Sequence, residues 1–229
     1  YTSFNQSSGS TSFRGYRRAR NTKLNAPATA GSNVSIEVID AEGWAVGDTV
    51  VFASDTSDAS RAHKTTIVSG SGTSWVVATL NFNRLSGCRI GNFSSNVVVK
   101  SHSATHPSFV SLVGPGTYDI GDCRFEDLGN AAGATTFGNA VHNYGVGVSV
   151  ASGTKVNIER AAFIHIGTTA VYGVSFSNAS DTTNKNTDCA FYSESSGAYG
   201  IYVGNSASAE TIGSHVYRAN NAIAYGFAV

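Results

Sequence analysis

Methionine is absent from these 229 residues, proline and cysteine appear 3 times each, and only 13% of the chain is charged. Each shortage excludes something. A chain that opens on Tyr1 and carries no Met is expected to be a processed product or a piece of something longer. Three cysteines cannot all pair, so no disulfide framework holds the fold. Lys and Arg total 15 and so do Asp and Glu, and a net charge of zero makes no overall demand for nucleic acid or an anionic membrane. No apolar run reaches about 18 residues, so no transmembrane helix and no membrane insertion are expected. The charged share is about half the usual one, which suits an outer surface of short Ser-, Thr- and Asn-rich strands.

What is present is a repeat. Tyr144-Gly145, Tyr172-Gly173, Tyr199-Gly200 and Tyr225-Gly226 are separated by 28, 27 and 26 residues. Phe163 and Phe191 follow their tyrosines by 19 residues, and Tyr217 follows its own by 18. The periods are filled by strand-like pieces such as VGVSV, KVNIE and GIYVG between polar turns, with no run at helical spacing. Three short strands and three turns per period make one coil of a parallel β-helix, with coils stacked roughly 4.8 Å apart. The fold class is therefore all-β, with a right-handed single-stranded parallel β-helix expected over residues 94–229. The ladder restarts at Tyr225 and breaks off at Val229, so a continuation is expected.

Cys123 and Cys189 each stand two residues before an aromatic (Phe125, Phe191), with Ala161 and His215 in the matching slots. Residues two apart on a strand share a face, so an inward column of small side chains beside an aromatic column is expected. Two coil spacings put the two cysteines near 10 Å apart, beyond a disulfide's reach of about 7 Å, and buried free thiols are expected. The tyrosines of the ladder pack inward or along the corners, or else face outward as a strip for sugar rings.

Residues 1–32 are expected to be an extended or flexible N-terminal arm. Arg14, Arg17, Arg18, Arg20 and Lys23 lie within ten residues, with no acid before Glu37. They form a solvated tail, a dock for an acidic partner surface, or a weak nucleic-acid signal. A small β module follows over 33–93, where NVSIEVID alternates, TVVFAS is a buried-looking strand, and KTTIVSGSG and TSWVVATLNF pair across a Gly/Ser turn. SSNVVVKS (94–101) opens the β-helix, and about ten surplus residues near AAGATTFGNAV are expected to bulge from the stack.

The run from Trp44 through Gly47-Asp48 to Val51, followed by Gly91-Asn92-Phe93 and Asn96 to Val99, resembles the domain named for its eight glycines. Cys123-Arg124-Phe125-Glu126-Asp127 extends the match, which covers about residues 40–130. That family includes cell-surface hyaluronidase-like and fibrocystin-like proteins, and similar sequences occur in bacteriophage structural proteins. The resemblance implies a module leading into a right-handed parallel β-helix. Where the family's acid and His are expected, this chain has Arg84 and Cys88-Arg89, and ATTFGNAVH retains only His142.

Glycan cleavage needs carboxylates converging on one face. Stacking the coils by their aromatics places Asp127 beside His165, a weak acid–base or metal candidate whose alternative is an Asx turn and a surface His. Glu159, Asp181, Asp188, Glu194 and Glu210 form no column. His102 and His106 could share a metal, but no third ligand stands nearby in sequence. No phosphate loop, nucleophile elbow or dinucleotide fingerprint occurs, and no cofactor is expected. The Asn-x-Ser sequons carry no weight in so Ser- and Asn-rich a chain. The expected function is a non-enzymatic bacteriophage virion protein, decorating a capsid or forming part of a tail or fibre. Its partners would be other virion proteins, a homo-oligomer such as a trimer, and a host-surface glycan. The alternatives are a polysaccharide-binding or polysaccharide-degrading protein, secreted or at a cell surface, and a fragment of an adhesion protein.

Overall fold

The computed structural model describes residues 3–6, 9–56, 58–100, 109–112, 116–128, 135–137, 140–142, 145–150, 154–165, 171–177, 184–193, 199–204, 209–218 and 227–228, with only the backbone in several of these strands. Two short strands come first, β1 (Ser3–Gln6) and β2 (Thr11–Arg14). A module follows, made of β3 (Asn21–Lys23), β4 (Gly31–Glu37), β5 (Thr49–Phe52), β6 (His63–Ser71), β7 (Ser74–Leu80) and β8 (Arg89–Asn92). Then come β9 (Val98–Lys100), β10 (Phe109–Leu112), β11 (Gly116–Gly121) and β12 (Arg124–Glu126). A hairpin, β13 (Thr135–Phe137) and β14 (Ala140–His142), precedes β15 (Gly145–Val150), β16 (Thr154–Glu159) and β17 (Ala162–His165). The last coils are β18 (Val171–Ser177), β19 (Asn184–Thr187) and β20 (Ala190–Ser193), then β21 (Tyr199–Gly204), β22 (Ala209–Ile212) and β23 (His215–Arg218), then β24 (Phe227–Ala228).

These strands stack into three parallel sheets in the orders β1-β10-β15-β18-β21-β24, β2-β11-β16-β19-β22 and β9-β12-β17-β20-β23. One strand per coil on each of three faces is the parallel β-helix expected from the repeat. The module is a separate antiparallel sheet, ordered β3-β8-β5-β6-β7-β4. It leads into the helix at β9 as expected, but the first coil begins before it. That coil takes β1 and β2 from residues 3–14 and its third strand from residues 98–100, with the module inserted between. Residues 1–32 are thus not a free arm over their described length. β1 and β2 pair with β10 and β11 more than a hundred residues away, and β3 joins the module.

Strand alternation builds the interior. Tyr118 and Ile120 on β11 and Val156 and Ile158 on β16 are buried, while Asp119 and Asn157 point outward and hydrogen-bond between coils at 2.9 Å. On the third face Phe125, Phe163 and Phe191 share one register column, with centroids 5.0 and 4.8 Å apart and planes within 13° and 8° of parallel. Cys123, Ala161 and Cys189 lie beside them, buried, and all three cysteines are free.

Two sequence expectations slip by one residue in the last described coil. Phe191 pairs with Val216, not Tyr217, so the column continues with Val216. The slot after Cys189 accordingly belongs to buried Ser214, whose Oγ accepts from the Cys189 amide at 3.0 Å, and not to His215. A one-residue slip sends a side chain to the opposite face, and Tyr217 therefore points outward from the coil.

The corner between the second and third faces repeats a left-handed residue. Asp122, Arg160 and Asp188 have φ of 56°, 48° and 51°, and Gly213 has 64°. The amides of the first three donate to Glu159, Thr187 and Ile212 of the next coil at 2.8–3.0 Å. Gly213 suits its corner twice over, because a Cβ there would also lie 2.1 Å from Asp188 Oδ1.

The Tyr-Gly ladder is only partly a register ladder. Tyr172 stands opposite Tyr199, but its partner in the preceding coil is Val146, and Gly145 faces Val171. Gly173 and Gly200 follow the paired tyrosines on β18 and β21. Tyr144, Tyr225 and Gly226 lie outside the described residues, as do the side chains of Tyr172 and Tyr199. The surplus before β15 contains the β13–β14 hairpin, with Thr135 opposite His142.

Candidate functional site at the seam of module and coil

Over β17, β20 and β23 the third face of the helix is buried on both sides. Inside lie the phenylalanines; outside, Ala162, Ile164, Ala190, Tyr192 and Tyr217 are covered by Val51 and Phe93 of the module. Phe93 meets Tyr217 and Tyr192 edge-on, at centroid distances of 5.6 and 6.0 Å. Gly91 permits this approach, since a Cβ there would stand 2.8 Å from ring atoms of both Phe93 and Tyr217. The Tyr217 hydroxyl donates to Asn21 Oδ1 at 3.0 Å, and burial pushes its ionisation far above the ordinary phenol range. The Asn21 amide nitrogen in turn donates to the carbonyls of Asp188 and Cys189 at 3.0 and 3.2 Å. The outward turn of Tyr217 therefore gives the module its apolar footing.

A polar cluster closes the other end of the seam. Arg20 is 1% exposed. Its Nε donates to the Arg160 carbonyl at 2.8 Å, and its Nη1 to the carbonyls of Asn92 and Ser94 at 2.7 Å. One side chain thus ties three segments together: the entry into the module, the exit from it, and the coil corner. Burial lowers the guanidinium to about 10, opposed by the charges of Cys189 and Asp122. Arg160 grips Asp122 with two parallel bonds of 2.9 Å and also contacts Glu159, which raises the Arg160 guanidinium further. Asp122 Oδ1 accepts from the Arg18 amide at 3.2 Å as well.

Trp44 and Asp48 belong to the same clamp. Asp48 Oδ2 accepts from Arg18 Nη1 at 2.5 Å, from the Ala45 amide at 2.9 Å and from Asn92 Nδ2 at 2.8 Å. Trp44 Nε1 donates to the Ala19 carbonyl at 2.8 Å, and its ring packs against Trp75 at 6.3 Å. The Trp-x-x-Gly-Asp and Gly-Asn-Phe stretches singled out in the sequence are therefore the parts that hold residues 18–20 down.

The five basic residues expected on an arm have separate positions. Arg18 and Arg20 are internal. Arg14 lies 3.5 Å from Glu159, Arg17 lies 2.9 Å from Glu42, and both remain largely exposed. Lys23 is exposed on β3. Of the acid–base candidate the structure describes the Asp127 side: Glu126 pairs with Ile164, and the Asp127 amide donates to the Ile164 carbonyl at 2.9 Å. Asp127 has a left-handed φ of 50°, and the His165 side chain lies outside the described residues. His102 and His106 lie outside them too, and among the described residues no three His, Cys, Asp or Glu groups gather as for a metal ion.

Chemically the seam is a fastening. Asp122, Glu126, Glu159 and Glu210 each sit against a cation, Glu126 on Arg124 at 2.6 Å and Glu210 on Lys185 at 3.3 Å. Sequence reasoning missed Arg20, Asp122 and Arg160 as a unit. The available signal was the repeated Gly-Asp-Cys, Glu-Arg-Ala and Thr-Asp-Cys before each aromatic, which marks the left-handed corner.

No protein-family model matches the chain, and no curated protein sequence does so. Among solved structures it is similar to the gp54 tailspike of Acinetobacter baumannii bacteriophage AP22, solved with an A. baumannii capsular saccharide. Identity is 15% and the TM-score 0.31, over 94% of this chain and 48% of that one. It is also similar to the tailspike gp61 of Pseudomonas phage phi297, at 14% identity and a TM-score of 0.28, over 92% of this chain and 36% of that one. The chain spans less than half the length of either.

Proposed function

We propose that this chain is a structural part of a bacteriophage virion, a tail, fibre or capsid-decoration component whose β-helix is the rigid body. The observation that supports this reading is the splice of the module into the first coil. Chain entry and exit are cross-linked through Arg20, and the module's apolar face is buried on the third sheet. Such a body transmits load without bending at a linker, and Asp122, Glu126 and Glu210 of its coils are each paired with a cation.

Arg18 and Arg20 are committed inside the fold, so an anchoring role falls to the outer side of residues 14–17. Tyr16 is 74% exposed there, beside exposed Arg17. Deleting residues 1–25 would remove β1, β2, β3 and Arg20 together and would test folding, not anchoring. The pair Tyr16→Ser and Arg17→Glu tests anchoring, because neither side chain is buried. Loss of incorporation into particles is expected from a protein that still folds, and full incorporation would refute the anchor. Association as a trimer belongs to the same reading and is checked by light scattering.

The competing reading, cleavage of polysaccharide, is decided by incubating the protein with capsular, algal and hyaluronan polysaccharides. No new reducing ends are expected; reproducible cleavage would overturn the structural assignment.

A further inference from the structure

Lys23 and Arg89 are register partners on the antiparallel strands β3 and β8. Directly opposed residues share a face, so two cations stand side by side, an arrangement that works against the sheet. One step along the same face, Asn21 and Gly91 form the footing over Tyr217. Lys23 and Arg89 therefore emerge at the rim of the seam, and both are exposed. The coil meets them with His215, whose Nε2 lies 2.5 Å from Arg89 Nη1. A guanidinium only donates, so His215 accepts there as the neutral imidazole and carries its proton on Nδ1. Burial holds its titration below the usual His range, followed by the charges of Arg89 and Lys23, against the opposing pull of Asp188.

Two other cations at the seam have acidic partners, Arg18 in Asp48 and Arg160 in Asp122, and Arg20 is held by three carbonyls. Among the described residues no carboxylate pairs with Lys23 or Arg89. Two like charges held together on a rigid frame, with a neutral His donor beside them, are poised for an anion that supplies the missing charge. We propose that Lys23, Arg89 and His215 form a binding site for a carboxylate group, such as that of an acidic sugar. The planar fork of Arg89 suits the two carboxylate oxygens, Lys23 adds a point charge, and His215 Nδ1–H adds a donor. Module and coil each supply part of it, so the site exists only when the seam is closed. It stands whether or not the chain is a virion part.

A bound carboxylate cancels the field of Arg89 and Lys23 at His215, so binding and His titration are linked. The test follows the His215 imidazole resonance through a pH titration of the intact chain at low ionic strength, with glucuronate, acetate or glucose. Glucuronate is expected to raise the His215 titration point and glucose to leave it alone. A rise with acetate as well assigns the site to the carboxylate itself; a rise with glucuronate alone adds contacts from the sugar ring, and both support the proposal. No shift with either acid, or an equal shift with glucose, would overturn it. Arg89→Gln and Lys23→Gln should each weaken glucuronate binding about tenfold, the scale of one charge-assisted hydrogen bond. Lys155→Gln, an exposed cation on the second face, should leave binding unchanged. Equal weakening by Lys155→Gln would reduce the effect to net charge and refute the site.

Discussion

Replacing Arg20 with Met keeps an unbranched apolar stem and removes the guanidinium with its charge and its donors. Three backbone carbonyls, of Asn92, Ser94 and Arg160, then lose partners now at 2.7–2.8 Å. An orphaned buried acceptor costs about 1–3 kcal/mol, so the loss is about 3–9 kcal/mol before relaxation. Against this stands a gain. The fold holds the guanidinium at about 10, well below its ordinary value, at a cost of about 3 kcal/mol that disappears with the charge. The difference leaves a net destabilisation of about 0–6 kcal/mol, centred near about 3 kcal/mol and read as a lower urea midpoint at unchanged slope. The sign is not obvious in advance, because buried ions are often replaced by apolar groups without loss. What decides it is that the three acceptors are main-chain groups that remain when the side chain goes. Arg20→Lys should also destabilise, since an ammonium on a shorter stem cannot span three segments. Arg20→Met more stable than the wild type would refute the clamp.

Phe163→Ala removes the middle ring of the stacked column, with both of its neighbours within 5.0 Å, and should destabilise by about 3–5 kcal/mol in the same urea assay. Gly91→Ala pushes a methyl into Tyr217 and Phe93 and should destabilise by about 1–3 kcal/mol, with Tyr217 fluorescence reporting an opened seam. Burial raises the Cys88 thiol to about 11 and the Cys189 thiol to about 12, so neither should react with thiol reagents near neutral pH until the chain unfolds. The same groups set the alkaline limit. Folded values above the unfolded thiol value of 9.0 mean that the unfolded chain loses its protons first, so stability falls from about pH 9 toward pH 12. Arg20 acts in the opposite sense only above about pH 10, and a stability curve that stays flat from pH 8 to 11 would contradict the burial of these thiols.

The β-helix was legible because its signal is periodic and local. Phe125, Phe163 and Phe191 share a slot, and the intervening strands alternate. The last coil misled because it is shorter, with Val216 25 residues after Phe191 where Phe191 is 28 after Phe163: spacing alone grouped Tyr217 with the phenylalanines, whereas pairing puts Val216 there and turns Tyr217 to the module. The start of the helix was illegible for another reason. SFNQ and TSFR are short and polar, and what makes them strands is an edge contributed from residues 109–121. Arg20 was read as part of a solvated charge run because a sequence shows five cations and no acid. Its true partners are carbonyls, which no sequence displays. Trp44 and Asp48 stood out through their resemblance to a known domain, but their role as the clamp on residues 18–20 emerged only from the hydrogen bonds.

Module and coil are one body, fused by the splice and by Arg20. Native-state hydrogen exchange tests it directly, by comparing amides of the module's β8 with those of the third face's β17. Ile90, Asn92 and Phe163 are expected to open with the same free energy, close to that of global unfolding, and Arg20→Met is expected to lower all three together. Rapid exchange through β8 while β17 stays protected would show the module opening alone, and the rigid-body reading would fail.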